Sequence, residues 1–263
     1  MEYRLKKQIT IAAAFFAAVF LIFLAFFFSG GQAPSCFDGK LNQEEERVDC
    51  GGPHCAPCAA LYMENIQVVS ADFLLFDGRY DAFAVVKNPN SQYGASDLKY
   101  RFKFYDKDDQ FISEISGKSF ISAGEAKYIA LSNIDLAAAP ASVKIEFDPV
   151  IWKEQMRTNI KLPIFSKKYE NTSGLGVIGV SQVSGVIENQ SNYSFSDVGL
   201  FAALLDKDGK YIAVNQTKIN NLRSGERRDI VIPWFSEIKN SADVAKVVVE
   251  ASANVIDDSN ILR

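Results

Sequence analysis

The sequence predicts a mainly β protein: two antiparallel β-sandwiches in tandem, preceded by one transmembrane α-helix and a small disulfide-rich stalk. Three observations carry this. Residues 9–28 contain no charged side chain. All four cysteines lie between positions 36 and 58. The remainder repeats itself at an offset of 100–101 residues, as short apolar strands and polar turns. The expected boundaries are a cytoplasmic tail at 1–8, a span at 9–28, a Cys-rich stalk at 29–60, a first sandwich at 61–150 and a second at 151–263.

The chain average, 48% hydrophobic and 23% charged over 263 residues, is the mean of two unlike objects. The apolar run holds seven of the twenty phenylalanines, and three basic side chains precede it. With 28 Lys and Arg against 32 Asp and Glu overall, the part beyond the run is acidic. A nucleic-acid surface needs clustered Lys and Arg to displace phosphate counterions, so none is expected. Abundant, periodic apolar residues exclude a disordered chain. A single histidine excludes His-based triads and multi-His metal sites.

Ile9–Phe28 reads ITIAAAFFAAVFLIFLAFFF. Twenty helical residues cross about 30 Å, the thickness of a bilayer's hydrocarbon core, and a helix satisfies its own backbone there. Arg4, Lys6 and Lys7 before it place the tail in the cytoplasm and the rest outside. The rival is a cleaved signal peptide, but the run is too long and Gly31-Gln32-Ala33 is a poor cleavage site. Ala33-Pro34-Ser35 before Cys36 is no lipobox.

Outside the membrane, Cys36, Cys50, Cys55 and Cys58 read as two disulfides, because so small a segment cannot bury a core and the compartment is oxidising. Three pairings are open. A zinc site using Cys55, Cys58 and His54 competes, although the other spacings fit no common ribbon. A redox Cys-x-x-Cys lacks its βαβ surroundings. Asp38, Asn42, Glu45 and Asp49 are hard oxygen donors, so calcium is a candidate ligand; a solvated acidic loop is the alternative. Cys36, Asp38, Gly39, Asn42, Glu45, Asp49, Cys50, Gly51, Gly52, Cys55 and Cys58 together resemble a small cysteine-rich motif of extracytoplasmic surface proteins, with one extra residue at Pro53-His54. That likeness implies a surface module.

In the repeat, Ser96-Asp97 and Asp106-Lys107-Asp108 recur as Ser196-Asp197 and Asp206-Lys207-Asp208. Asn88 recurs as Asn189, and Gly124-Glu125 as Gly225-Glu226. Two copies at this spacing mean two domains. Asp81–Lys87 and Ser184–Glu188 are strands ending in Asn turns. Leu98–Phe104 alternates strictly, so its Lys and Arg face water; its counterpart Val198–Leu205 is apolar on both faces in places and is more buried. Asp-rich hairpin turns follow. The next strands are Gln110–Ile115 and Lys210–Val214, then Lys127–Leu131 and Asp229–Ile232, then Ser142–Phe147 and Val244–Ala251. Turns every 8–12 residues indicate antiparallel sandwiches.

Phe102-Lys103-Phe104-Tyr105-Asp106, with this strand and turn order, resembles the FxLYD-type family of bacterial and archaeal immunoglobulin-like domains. The second copy degrades to Ala202-Ala203-Leu204-Leu205-Asp206. The resemblance spans about 60 residues of each copy. It implies immunoglobulin-like sandwiches of the cell envelope and little chemistry.

Between the copies, Trp152 is expected at the interdomain junction, with Ile160–Phe165 opening the second sandwich. Asp106/Asp108 and Asp206/Asp208 read as turn residues. Ser191 and Ser194 lack a histidine base. Gly174–Gly179 matches no dinucleotide fingerprint. Asn171, Asn189, Asn192 and Asn215 each open an N-x-[ST] sequon. No catalytic residue and no enzyme activity are expected. The sequence points to a single-pass membrane protein that binds an unidentified envelope protein or the cell wall, or to an accessory subunit of a secretion, pilus or transport assembly. Ala12–Ala14, Ala17 and Ala18 would pack against another helix in that second case.

Overall fold

A computed structural model describes residues 2–28, 35–55, 58, 62–158, 160–172 and 179–262. The chain divides into two units, Met1–Cys58 and Ala59–Arg263. In the first, Glu2–Phe28 forms one α-helix, α1. Its described side chains are those of residues 3–4, 6–8 and 15–23. Among the described residues no helix is long and apolar enough to cross a membrane; the described apolar stretch here ends at Phe23. The cleavage question at Gly31-Gln32-Ala33 and the Ala12–Ala14 side chains lie outside the described residues, as do residues 174–178 of the Gly174–Gly179 stretch.

The second unit is mainly β. Its strands are β1 Gln67–Phe76, β2 Arg79–Lys87, β3 Tyr93–Tyr105, β4 Phe111–Ile121, β5 Ala126–Ile134, β6 Ser142–Phe147, β7 Lys153–Glu154, β8 Ile164–Asn171, β9 Ser181–Glu188, β10 Ser194–Leu205, β11 Tyr211–Leu222, β12 Arg227–Trp234, β13 Lys246–Ser252 and β14 Ile261–Leu262. They form sheets ordered β1-β2-β5 and β4-β3-β6, then β8-β9-β12 and β11-β10-β13, all antiparallel. Each successive pair of sheets shares one core. Ala82, Ala84, Val86 and Ile129 meet Leu98, Phe102, Phe104 and Ile145 in the first. Val183, Ile187, Ile230 and Ile232 meet Val198, Leu200, Leu204 and Val249 in the second.

The internal repeat is structural down to single hydrogen bonds. Asn88 and Asn189 are both fully buried. Asn88 Nδ2 donates to Tyr93 O at 2.7 Å and Ser122 O at 2.8 Å. Asn189 Nδ2 donates to Tyr193 O at 2.7 Å and Leu222 O at 3.3 Å. Asp106 Oδ1 accepts from the Asp108 and Gln110 N–H groups, as Asp206 Oδ1 does from those of Asp208 and Lys210. The turn aspartates therefore spend their oxygens on local backbone, the reason such turns favour Asp.

The two copies differ on one face, and the difference joins them. Lys99, Arg101 and Lys103 alternate with buried residues on β3 and stay outside the core. The same positions of β10 are Gly199, Phe201 and Ala203. Phe201, Ala203 and Leu205 form a third apolar cluster with Val214, and with Phe83 and Ala130 of the first sandwich. The Tyr128 ring stacks on Phe201 at 4.2 Å, and its hydroxyl meets that of Tyr211 at 3.0 Å. This is why β10 is apolar on both sides: one side packs its own core, the other packs the neighbouring sandwich. Replacing Phe201 by Asp puts a charge into this contact and removes the stacked ring. A loss of about 3 kcal/mol is expected, read as a lower melting temperature together with faster proteolysis between residues 155 and 163.

Two expectations change. Trp152 does not sit between the sandwiches; it is buried in the core of the first, and the adjoining β7 pairs with Tyr93 and Gly94 of β3. Strand β1 is an addition. It pairs with β2 across Asp77-Gly78, both at positive φ, an Asp-Gly hairpin signal that was legible between two apolar runs.

Candidate functional site

The cysteines pair Cys36–Cys55 and Cys50–Cys58. Each sulfur is bonded to another, which leaves no thiolate to hold zinc. Among the described residues, one group could gather ligand atoms, Cys36, Glu45 and Cys55, and two of those three are one disulfide. The four calcium candidates, Asp38, Asn42, Glu45 and Asp49, share a hydrogen-bond network in which Asn42 Oδ1 is buried without a partner among the described residues. Asp49 accepts from the Asp38 and Gly39 N–H groups at 2.9 Å. Buried Glu45 accepts from the Asn42 and Asp49 N–H groups at 3.2 and 3.1 Å. Asn42 Nδ2 donates to Asp38 at 2.9 Å and, first among the causes, holds that carboxyl below the usual range. Gly52 is at φ +71°, and a Cβ there would lie 2.2 Å from Glu44 O, so the turn admits only glycine. The motif's acidic residues order a loop that has almost no core.

The sequons divide by burial. Asn189 is fully buried and Asn215 Nδ2 donates to Pro233 O at 2.6 Å, whereas Asn171 and Asn192 are exposed. The Asn189 side chain is inaccessible to a glycosylating enzyme in the folded protein.

A cleft of about 750 Å³ lies between the sandwiches, within the size range of small-molecule sites. It opens where β4 and β5 leave the first sandwich unclosed, and β10 and β13 of the second form its other wall. Lys127 is buried there. Its ammonium donates to Phe120 O at 3.2 Å and lies 3.6 Å from the centre of the Phe120 ring. Desolvation lowers its pKa, opposed by Glu125 and Glu250. Glu250 is pushed up, first by burial and then by Glu125, while Lys167, Lys127 and the Tyr128 N–H pull the other way. Glu125 Oε2 accepts from Ser122 N at 2.6 Å. The free edge of β5 is covered by side chains of the second sandwich: Gln216 Nε2 donates to Ala130 O at 3.1 Å, and the Glu250 carboxylate lies on the Tyr128 backbone side. Such cover keeps an edge strand from pairing with foreign chains.

Tyr100 completes the cleft. It is 4% exposed and lines this space, and its hydroxyl makes no hydrogen bond to the described residues; burial pushes its pKa up to about 12. The tip of its ring lies over Gly117, where a Cβ would sit 2.4 Å from the hydroxyl oxygen. Sequence reasoning missed this cleft, because Tyr100, Lys127 and Glu250 come from three distant strands.

No family model and no curated protein matches the chain. Among solved structures, red sea bream transglutaminase is 9% identical over 75% of this chain and 30% of its own, with a TM-score of 0.21. An anti-sigma factor domain-containing protein is 14% identical over 69% of this chain and 84% of its own, with a TM-score of 0.18. A β-glucuronidase from Ruminococcus gnavus is 12% identical over 66% and 36%, with a TM-score of 0.13. The chain thus spans about a third of the transglutaminase, and likenesses this low carry no argument about fold or activity.

Proposed function

We propose that this chain is a membrane-anchored extracytoplasmic protein of the cell envelope that uses two immunoglobulin-like domains to bind a protein or the cell wall. The observation that carries the reading is the helix surface. Phe15, Phe16, Val19, Phe20, Leu21, Ile22 and Phe23 are 47–71% exposed, and consecutive residues point in every direction around a helix. A helix apolar all round requires an apolar surrounding, and uncharged residues continue on both sides of this stretch to fill 9–28. Two disulfides favour the oxidising side of a membrane. The strand orders support an immunoglobulin-like reading: with the six strands of each copy named A, B, C, C′, E and F along the chain, A-B-E forms one sheet and C′-C-F the other.

The test is fractionation of cells producing the full chain and a variant lacking residues 9–28. The full chain is expected to stay in membranes through alkaline extraction and to be labelled by a membrane-impermeant amine reagent added from outside. The deletion variant is expected in the soluble extracytoplasmic fraction or to remain inside. A full chain released by alkali, or left unlabelled from outside until the cells are broken, overturns the reading. Exchanging the helix for an unrelated apolar span separates the role in a membrane assembly. Partners crosslinked in native membranes persist after the exchange if the domains do the binding, and vanish if the helix does.

A further inference from the structure

The two copies end alike, but not at the same length. In the first, residues 148–152 lead from β6 to β7, whose Lys153 and Glu154 pair with Gly94 and Tyr93 at the start of β3. In the second, residues 253–260 lead from β13 to β14, whose Ile261 and Leu262 pair with Phe195 and Ser194 at the start of β10. The return loop thus has five residues in the first copy and eight in the second, three more. The longer loop reaches the first sandwich. Asn254 Nδ2 donates to Ser96 O at 3.0 Å. The Ile256 side chain covers Gly94 so closely that a Cβ there would lie 2.4 Å from Ile256 Cδ1. Arg157 Nη1 donates to Val255 O at 2.9 Å, and its Nη2 pairs with Asp258. Arg157 belongs to the connection between the copies, which Gln155 fastens to the first sandwich: its N–H donates to Gln92 O and its Oε1 accepts from the Ala123 N–H, both at 2.8 Å. On its other side the loop is fixed to its own sandwich. Val255 is part of the second core, and Asn260 exchanges hydrogen bonds with the Asp197 backbone.

We propose that the 253–260 loop is a clasp that fixes the angle between the two sandwiches. None of its residues belongs to the apolar cluster of Phe83, Ala130, Phe201, Ala203, Leu205 and Val214, so the two bodies meet at two separate places. Domains joined by one modest contact move relative to each other; a second contact elsewhere removes that motion. The apolar cluster supplies adhesion without direction, whereas the hydrogen bonds of the clasp form at one geometry only. The sandwiches then present their end loops to a partner as one rigid body, and less freedom is lost on binding. The clasp does not depend on membrane attachment.

Double electron–electron resonance on the detergent-solubilised full chain reads the angle as a distance distribution. Nitroxides are placed through Lys107→Cys in the first sandwich and Lys239→Cys in the second, both exposed positions. The native cysteines are held in disulfides and stay unlabelled. A single narrow distribution is expected while the clasp is intact. Arg157→Met, whose side chain is in neither core, and Asn254→Ala are each expected to broaden it, and together to increase its width about twofold. Amide hydrogen exchange in β10 and β13 is expected to stay slow in both variants, which separates a loosened joint from an unfolded sandwich. An unchanged width in the double variant overturns the proposal, as does broadening that comes only with fast exchange in β10 and β13. A broad distribution with the clasp intact overturns it too.

Discussion

Replacing Asn88 by Ala is expected to destabilise the Ala59–Arg263 unit by about 3 kcal/mol and lower its melting temperature by roughly 6–12 °C. The amide ties the 88–93 turn to the 122–125 turn, beside the backbone bonds from Asn88 N–H to Glu125 O and from Gly124 N–H to Asn90 O. Its Nδ2 holds Tyr93 O and Ser122 O, and its Oδ1 accepts from Asn90 N and Asn90 Nδ2, both at 3.0 Å. Alanine leaves two carbonyls at the end of a packed core without their side-chain donor. Asn88→Asp keeps the shape and the Oδ1 acceptor but turns a second oxygen toward those carbonyls, so a loss at least as large is expected at neutral pH. Asn189→Ala is expected to cost less, because its contact to Leu222 O is longer, at 3.3 Å. Thermal unfolding of the three variants checks the order. If Asn88→Ala melted within a degree of wild type, the amide would be incidental to the fold.

Asn88 also marks where sequence reading succeeds. Local rules act over a few residues, and the features they govern were legible: the Asn turns, the Asp hairpins, the strict alternation of β3. The offset of 100–101 then doubled each signal. The two-sided apolar character of β10 was visible too, although not its cause, because the covering surface comes from Phe83, Tyr128 and Ala130 about seventy to one hundred and twenty residues earlier. Trp152 shows the limit from the other side. An aromatic residue between two repeats could serve either core, and what decides is the two-residue pairing of β7 with β3, too short to leave a pattern. The disulfide partners and the cleft were beyond local rules altogether, since both depend on which distant segments the chain brings together.

Reducing both disulfides is expected to unfold the 35–58 segment while leaving the sandwiches intact. In the chain-entropy model a bridge with a sequence separation of 19, as in Cys36–Cys55, contributes about 3 kcal/mol, and one with a separation of 8, as in Cys50–Cys58, about 2.5 kcal/mol. Little else opposes unfolding. Among the described residues of this segment only Glu45, Cys50 and Gly51 are buried, so there is no apolar core to retain the fold. The carboxylate hydrogen bonds from Asp38, Glu45 and Asp49 to backbone amides are local and partly exposed, worth about 1 kcal/mol each while the loop is closed. They order the loop that the sulfurs close; they cannot close it. Trypsin reads the outcome directly. Lys40 and Arg47 are exposed, yet rapid cleavage after them is expected only after reduction, while peptides from Gln67 onward stay protected. A chelator supplies the second arm. Because those carboxylates already hold amides, EDTA is expected to leave the oxidised protein's resistance unchanged. Cleavage after Lys40 or Arg47 on adding EDTA to the oxidised protein would instead show that a cation, and not the amides, commands these oxygens.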